Sequence, residues 1–188
     1  MLISHDRKKL VHAIVYFARN TRHCGKTKLF KLLYLLDFHH FRATGRSVCG
    51  LEYRAWKHGP VPFQLVQEWD AFEPDLAAAV DVVPEPVFDY DRLRIEPKVP
   101  FDDRHFTKRE LRLMQGLAEQ YRDELTRPLV DLTHEDRGPW DKIWDGGRGN
   151  DQRIPFVLAI PDDDPNREAI LSAAADYEGI AAADSLRH

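Results

Sequence analysis

Lys26 to Pro62 reads KTKLFKLLYLLDFHHFRATG (26–45), RSV (46–48) and CGLEYRAWKHGPVP (49–62). The first part predicts a helix from about Thr27 to Thr44, stopped at Gly45, a residue type that commonly ends helices. Its apolar residues are not confined to one stripe. Leu29, Leu32, Leu33 and Leu36 line one side, and Phe30, Tyr34, Phe38 and Phe41 continue round another. A helix of this kind is buried on more than one face. The last part alternates Leu51, Tyr53 and Ala55 with Glu52, Arg54 and Trp56, which predicts a short strand. His58-Gly59-Pro60-Val61 then predicts a tight turn, with Pro62 opening another helix.

Outward from this centre, Leu10, Val11, Ile14, Val15, Phe17 and Ala18 recur at helical spacing after Ser4, a possible cap. Phe63, Val66, Trp69 and Phe72 extend the helix after Pro62 to about Glu73, where Pro74 interferes. Four prolines between Ala77 and Pro100 argue against a central strand, while alternating V-F-D-Y and R-L-R-I segments fit an edge hairpin. Thr107 and Glu110 form a capping box before Leu111, Met114, Leu117, Ala118 and Tyr121. Arg127-Pro128 begins a short helix through Leu132, and Trp140, Ile143 and Trp144 add a turn or two. Asp164 caps a last helix carrying Ile170, Leu171, Ala174, Tyr177 and Ile180 on its inner side.

At 43% hydrophobic and 31% charged residues, the 188-residue chain can build a core and carry a charged surface. A net charge of −4 argues against broad binding to a phosphate backbone. Two cysteines make no disulfide framework and fit a reducing cytoplasm. No apolar run approaches membrane-spanning length, and the first residues lack the order of a secretion signal.

Several ordered motifs resemble the Panacea domain of SocA-like antitoxins, found in bacterial and phage toxin–antitoxin systems. They are K-L-x-K-L-L-Y-x-x-D at Lys28, Leu29, Lys31, Leu32, Leu33, Tyr34 and Asp37; Gly45, then Gly50 and Tyr53; Gly59, Pro60 and Val61; and, after the capped helix, Thr133, His134, Glu135 and Trp140. The set spans roughly Leu10 to Trp144; beyond Arg148 no diagnostic pattern follows. The resemblance implies an α+β, mainly α fold: a compact helical domain around a central buried helix, with a small antiparallel β element. Residues 1–150 would form the Panacea-like domain and 151–188 a strand and helix extension packed on it. It also implies a non-catalytic cytoplasmic protein that binds a cognate protein toxin, by masking it or by delivering it to a bacterial protease, with no cofactor and no membrane.

The expected partner contacts are Lys28, Lys31, Asp37, Tyr53, Arg54, Trp56, His58, Gly59, Pro60, Val61 and His134. They would lie along the strand edge from Tyr53 to Val61 and on exposed residues of the second helix. On an alternating strand only every second residue faces outward, so either Arg54 and Trp56 or Tyr53 and Lys57 carry the contact, with Arg54 and Trp56 the preferred pair. Each residue also has a structural reading. Asp37 in an apolar helix needs pairing or hydrogen bonds. Lys28 and Lys31 would otherwise be solvated helix lysines. His134 could close a helix end and bond a carbonyl. Cys24, His39, His40, Cys49 and His58 include potential zinc ligands, but no C-x-x-C or H-x-x-x-H spacing joins them, so no metal is expected. Two rival functions remain. One is a DNA- or RNA-binding regulator, for which a clear recognition helix is lacking. The other is a hydrolase using His134, Glu135 and Asp37, for which nucleophile and substrate motifs are lacking.

Overall fold

The computed structural model describes residues 4–87, 90–134 and 138–185. Helix α1 (Ser4–Asn20) leads to α2 (Lys26–Thr44), then to a hairpin of β1 (Tyr53–Trp56) and β2 (Gly59–Pro62). Two short helices follow, α3 (Phe63–Gln67) and α4 (Pro74–Ala79), then a second hairpin of β3 (Val80–Val87) and β4 (Tyr90–Pro97). The chain ends with α5 (Lys108–Gln120), α6 (Thr126–Thr133), α7 (Pro139–Trp144) and α8 (Arg167–Ser185), with 3-10 turns at Asp103–His105, Asp145–Gly147 and Phe156–Ala159. The fold is α+β and mainly α, and its strands form two separate two-stranded antiparallel sheets.

Helix α2 is the axis of the molecule. Every residue from Lys28 to Phe38 is buried, as are His40 and Phe41. A helix buried all round must have neighbours on all sides, and α1, α5, α6, α8, β2 and β4 supply them. Its end depends on Gly45, whose φ of 74° is left-handed and whose N–H donates to Phe41 O at 2.8 Å. A Cβ there would stand 2.6 Å from Ile170 O, so the glycine also lets α8 approach.

Polar ties fix the elements around α2. The Thr107 and Glu110 capping box opens α5, and Glu110 also pairs with Lys9 of α1 at 2.5 Å. Arg7 bridges Glu68 and Asp75, holding α1 to the α3–α4 region.

Three local expectations need correction. Helix α3 stops at Gln67 rather than near Glu73. Pro74 does not merely interfere; it starts α4, because its missing N–H falls where a helix has no intrahelical partner for one. Gly59 to Pro62 is a strand rather than a turn, and Pro62 precedes α3 rather than opening it. The expected edge hairpin is present as β3 and β4, with Pro84 and Pro86 on β3, whose only sheet neighbour among the described residues is β4. Residues 151–154 run beside β1, and α8 packs on α2. The Ile180 side chain lies outside the described features.

Candidate functional site

The first hairpin pairs Tyr53 with Pro62, Arg54 with Val61, Ala55 with Pro60 and Trp56 with Gly59, leaving Lys57 and His58 as a two-residue tip. Strand alternation turns Tyr53 and Ala55 into the core and Arg54 and Trp56 outward. Trp56 is 37% exposed, and Lys57 and His58 are exposed beside it.

The strand edge expected as an interface is closed. Ala55 N–H donates to Gln152 O at 2.9 Å, Asp151 N–H to Ala55 O at 2.8 Å and Ile154 N–H to Tyr53 O at 2.8 Å, so residues 151–154 occupy the outer side of β1. On β2, Pro60 and Pro62 have no N–H, and Pro60 O accepts from Lys31 Nζ at 3.0 Å. What stays open is the outer face and the tip.

That face is held in place. Arg54 donates to Glu52 at 2.9 Å and to Asp151 at 3.0 Å, and its guanidinium lies 3.5 Å from the Phe63 ring centroid. Trp56 Nε1 donates to the other oxygen of Asp151 at 3.0 Å. Asp151 adopts a φ of 64°, a left-handed conformation that Asp tolerates better than most residues. Its bond from Trp56, with Arg54 beside it, holds its carboxyl below the usual range. Asp151 carries no local sequence signal, and no motif pointed to it.

Beneath the hairpin, motif residues from distant parts of the chain converge. Lys31 is 1% exposed, and burial lowers its pKa to about 7. His134 ends α6 and makes a hydrogen bond to the backbone of His58. Its ring stacks on Trp140 at 3.9 Å and 6°, and Trp140 Nε1 donates to Trp56 O at 3.0 Å. The buried Nε2 of His134 has no hydrogen-bond partner among the described residues. Burial, then nearby Lys31, lowers the His134 pKa. Gly59 separates these groups from the tip. Its φ is 98°, and a Cβ there would collide with Lys31 Nζ and stand 2.8 Å from His134 Nε2. Only glycine satisfies both the conformation and the space.

The other α2 motif residues also hold loops. Lys28 is fully buried and donates to Arg22 O at 2.8 Å, Glu124 O at 2.6 Å and Arg122 O at 3.3 Å. A surface ridge of Lys28 and Lys31 therefore does not exist, and neither lysine is solvated. Asp37 accepts from Val48 N–H and Cys49 N–H at 2.8 Å each and from Tyr53 Oη at 2.9 Å. These bonds supply the partners that its burial demands, although burial still raises its pKa to about 6. Asp37 and Tyr53 thus fasten β1 to α2 from inside. Of α2, His39, Arg42 and Ala43 reach the surface near its end. Glu135, which the hydrolase reading needs beside His134 and Asp37, lies outside the described residues. Cys24 and Cys49 are free and buried.

The model of the antitoxin SocA-like family, the Panacea domain, matches residues 29–141. The chain belongs to this family. No curated protein and no solved structure matches it. Within this Panacea domain the matched span contains Lys31, the first hairpin, His134 and Trp140, the parts that build the hairpin's underside. Asp151, which fixes its outer face, lies beyond that span. Membership associates the chain with toxin–antitoxin systems. Among the described residues no helix is long and apolar enough to cross a membrane.

Proposed function

We propose that this Panacea domain is a cytoplasmic antitoxin that binds and neutralises a cognate protein toxin without catalysing a reaction. The family match carries the reading. The contact surface is the outer face and tip of the first hairpin: Arg54, Trp56, Lys57 and His58. Aromatic and arginine anchors dominate binding energies, and anchors already held in one conformation lose less entropy on binding. The Asp151 bonds provide that hold. Lys31, Asp37, Tyr53, Gly59, Pro60, Val61 and His134 act from below by fixing the hairpin, and Lys28 by fixing the chain after α5.

The test is growth of cells expressing the neighbouring gene's product together with this chain. Wild type restores growth, and an Arg54→Ala, Trp56→Ala variant that remains folded restores it poorly or not at all. Full rescue by that variant removes the hairpin face from the proposal. Failure of wild type to bind or neutralise any neighbouring product removes the antitoxin role. Toxin abundance separates the two routes, since masking leaves it constant and delivery to a protease lowers it.

A further inference from the structure

We infer that His12, Asp102 and His105 form a binding site for a zinc-type transition-metal ion. His12 comes from α1, Asp102 caps the 3-10 turn from the preceding position and His105 ends it. One ligand atom from each lies within 4.8 Å of the others. His105 Nε2 and Asp102 Oδ2 are 3.6 Å apart, close to the separation of about 3.4 Å between neighbouring ligands around a tetrahedral ion with bonds of about 2.0–2.1 Å. The His12 and His105 rings face each other, with centroids 5.3 Å apart and planes at 29°. The His5 ring lies edge-on to that of His105, with centroids 6.2 Å apart.

The donor set selects the ion. Two imidazoles and one carboxylate suit zinc, nickel or copper, whereas magnesium and calcium want oxygen ligands. His12 and Asp102 also line an open cavity of about 370 Å³, which gives an ion an entry path.

The existing bonds leave room for an ion at a cost. Arg104 donates to Oδ1 of Asp102 through its backbone N–H and Nε, and to Oδ2 through one guanidinium nitrogen. A carboxylate oxygen has a second lone pair, so Oδ2 can still bind on the His105 side. His12 Nδ1 accepts the Asp102 N–H at 3.2 Å, a long bond that coordination through Nδ1 would replace. The site uses none of the hairpin residues, so it stands or falls independently of the antitoxin reading.

Calorimetric titration of the chelator-treated full chain with zinc chloride tests this, with magnesium chloride as comparison and thermal unfolding as a second readout. One zinc ion binds per chain and raises Tm by several degrees, while magnesium does neither. His12→Ala with His105→Ala removes two of the three ligands and weakens zinc binding by more than about tenfold, the least loss seen when even an outer-shell partner of a ligand is removed. His39→Ala leaves it unchanged. Asp102→Asn keeps an oxygen for the N-cap and also weakens binding, which carries the test if the double variant does not fold. Absence of saturable zinc binding overturns the proposal. Undiminished affinity in a folded double variant, or in Asp102→Asn, does so too.

Discussion

The two hairpins have the same topology and are held by different physics. The second is seated mainly by apolar side chains, with Val80 and Ile95 buried beneath it, by a backbone bond from Ile95 N–H to Cys24 O at 2.9 Å, and nearer the surface by Arg92 Nη2, which donates to His23 Nδ1 at 2.6 Å. Its sheet ends at a strand interrupted by Pro84 and Pro86. The first hairpin is seated by buried polar groups of α2: Lys31 on Pro60 O and Asp37 on Tyr53. Apolar seating tolerates small shifts, because hydrophobic attraction has no direction. Hydrogen-bonded seating fixes an orientation, and a lost partner leaves an unsatisfied group behind. Direction is what the proposed contact surface of Arg54 and Trp56 needs.

The strongest way to break this contrast is Asp37→Ala. It strands Val48 N–H, Cys49 N–H and the Tyr53 hydroxyl inside the core. Unfolding stability should fall by about 4 kcal/mol, at about 1–3 kcal/mol for each buried group left unpaired with partial relaxation. Denaturant melts check this. If stability is unchanged and only partner binding is lost, Asp37 is a contact rather than a fastener.

A smaller effect sharpens it through pH. Burial holds the folded pKa of Lys31 near 7, well below its ordinary value of 10.5. Between those values the unfolded chain binds the proton and the folded chain does not, so stability rises as pH goes up. Below about pH 7 both states are protonated and this slope vanishes. Relative to Lys31→Met, wild type should gain on the order of 3 kcal/mol between pH 7 and 10. Parallel pH–stability curves for the two proteins would refute the assignment.

The smallest effect belongs to the second hairpin's surface. Leu93 is 53% exposed, so Leu93→Ala should change stability by less than about 0.5 kcal/mol. A loss above about 2 kcal/mol would show that this hairpin's outer side is packed against something.

Much of the scaffold was legible because its signals are local. The all-round apolar pattern of Leu29 to Phe41, the Thr107 box and the Gly45 stop each depend on residues a few positions apart, and each is observed. Strand period narrowed the outward pair to Arg54 with Trp56 or Tyr53 with Lys57, and the structure turns Arg54 and Trp56 outward. The fates of Lys28 and Lys31 were not legible. Their acceptors are carbonyls of Arg22, Arg122, Glu124 and Pro60, and any residue type carries a carbonyl. Strand β2 was hidden by its two prolines, which a strand accepts where no N–H is required. The role of Asp151 depends on a partner 95 residues earlier, so no window of sequence contains it.

That last separation has a consequence in time. The hairpin leaves the ribosome long before the stretch that flanks β1 and pins Trp56. At about 5–20 residues per second, roughly 5 to 20 seconds pass between synthesis of Pro62 and of Ile154. During that interval the outer backbone groups of Tyr53 and Ala55 have no strand to meet, and Trp56 has no carboxylate to hold it. The surface is therefore finished by the part of the chain made late, and the growing polypeptide carries Arg54 and Trp56 before it can hold them in place.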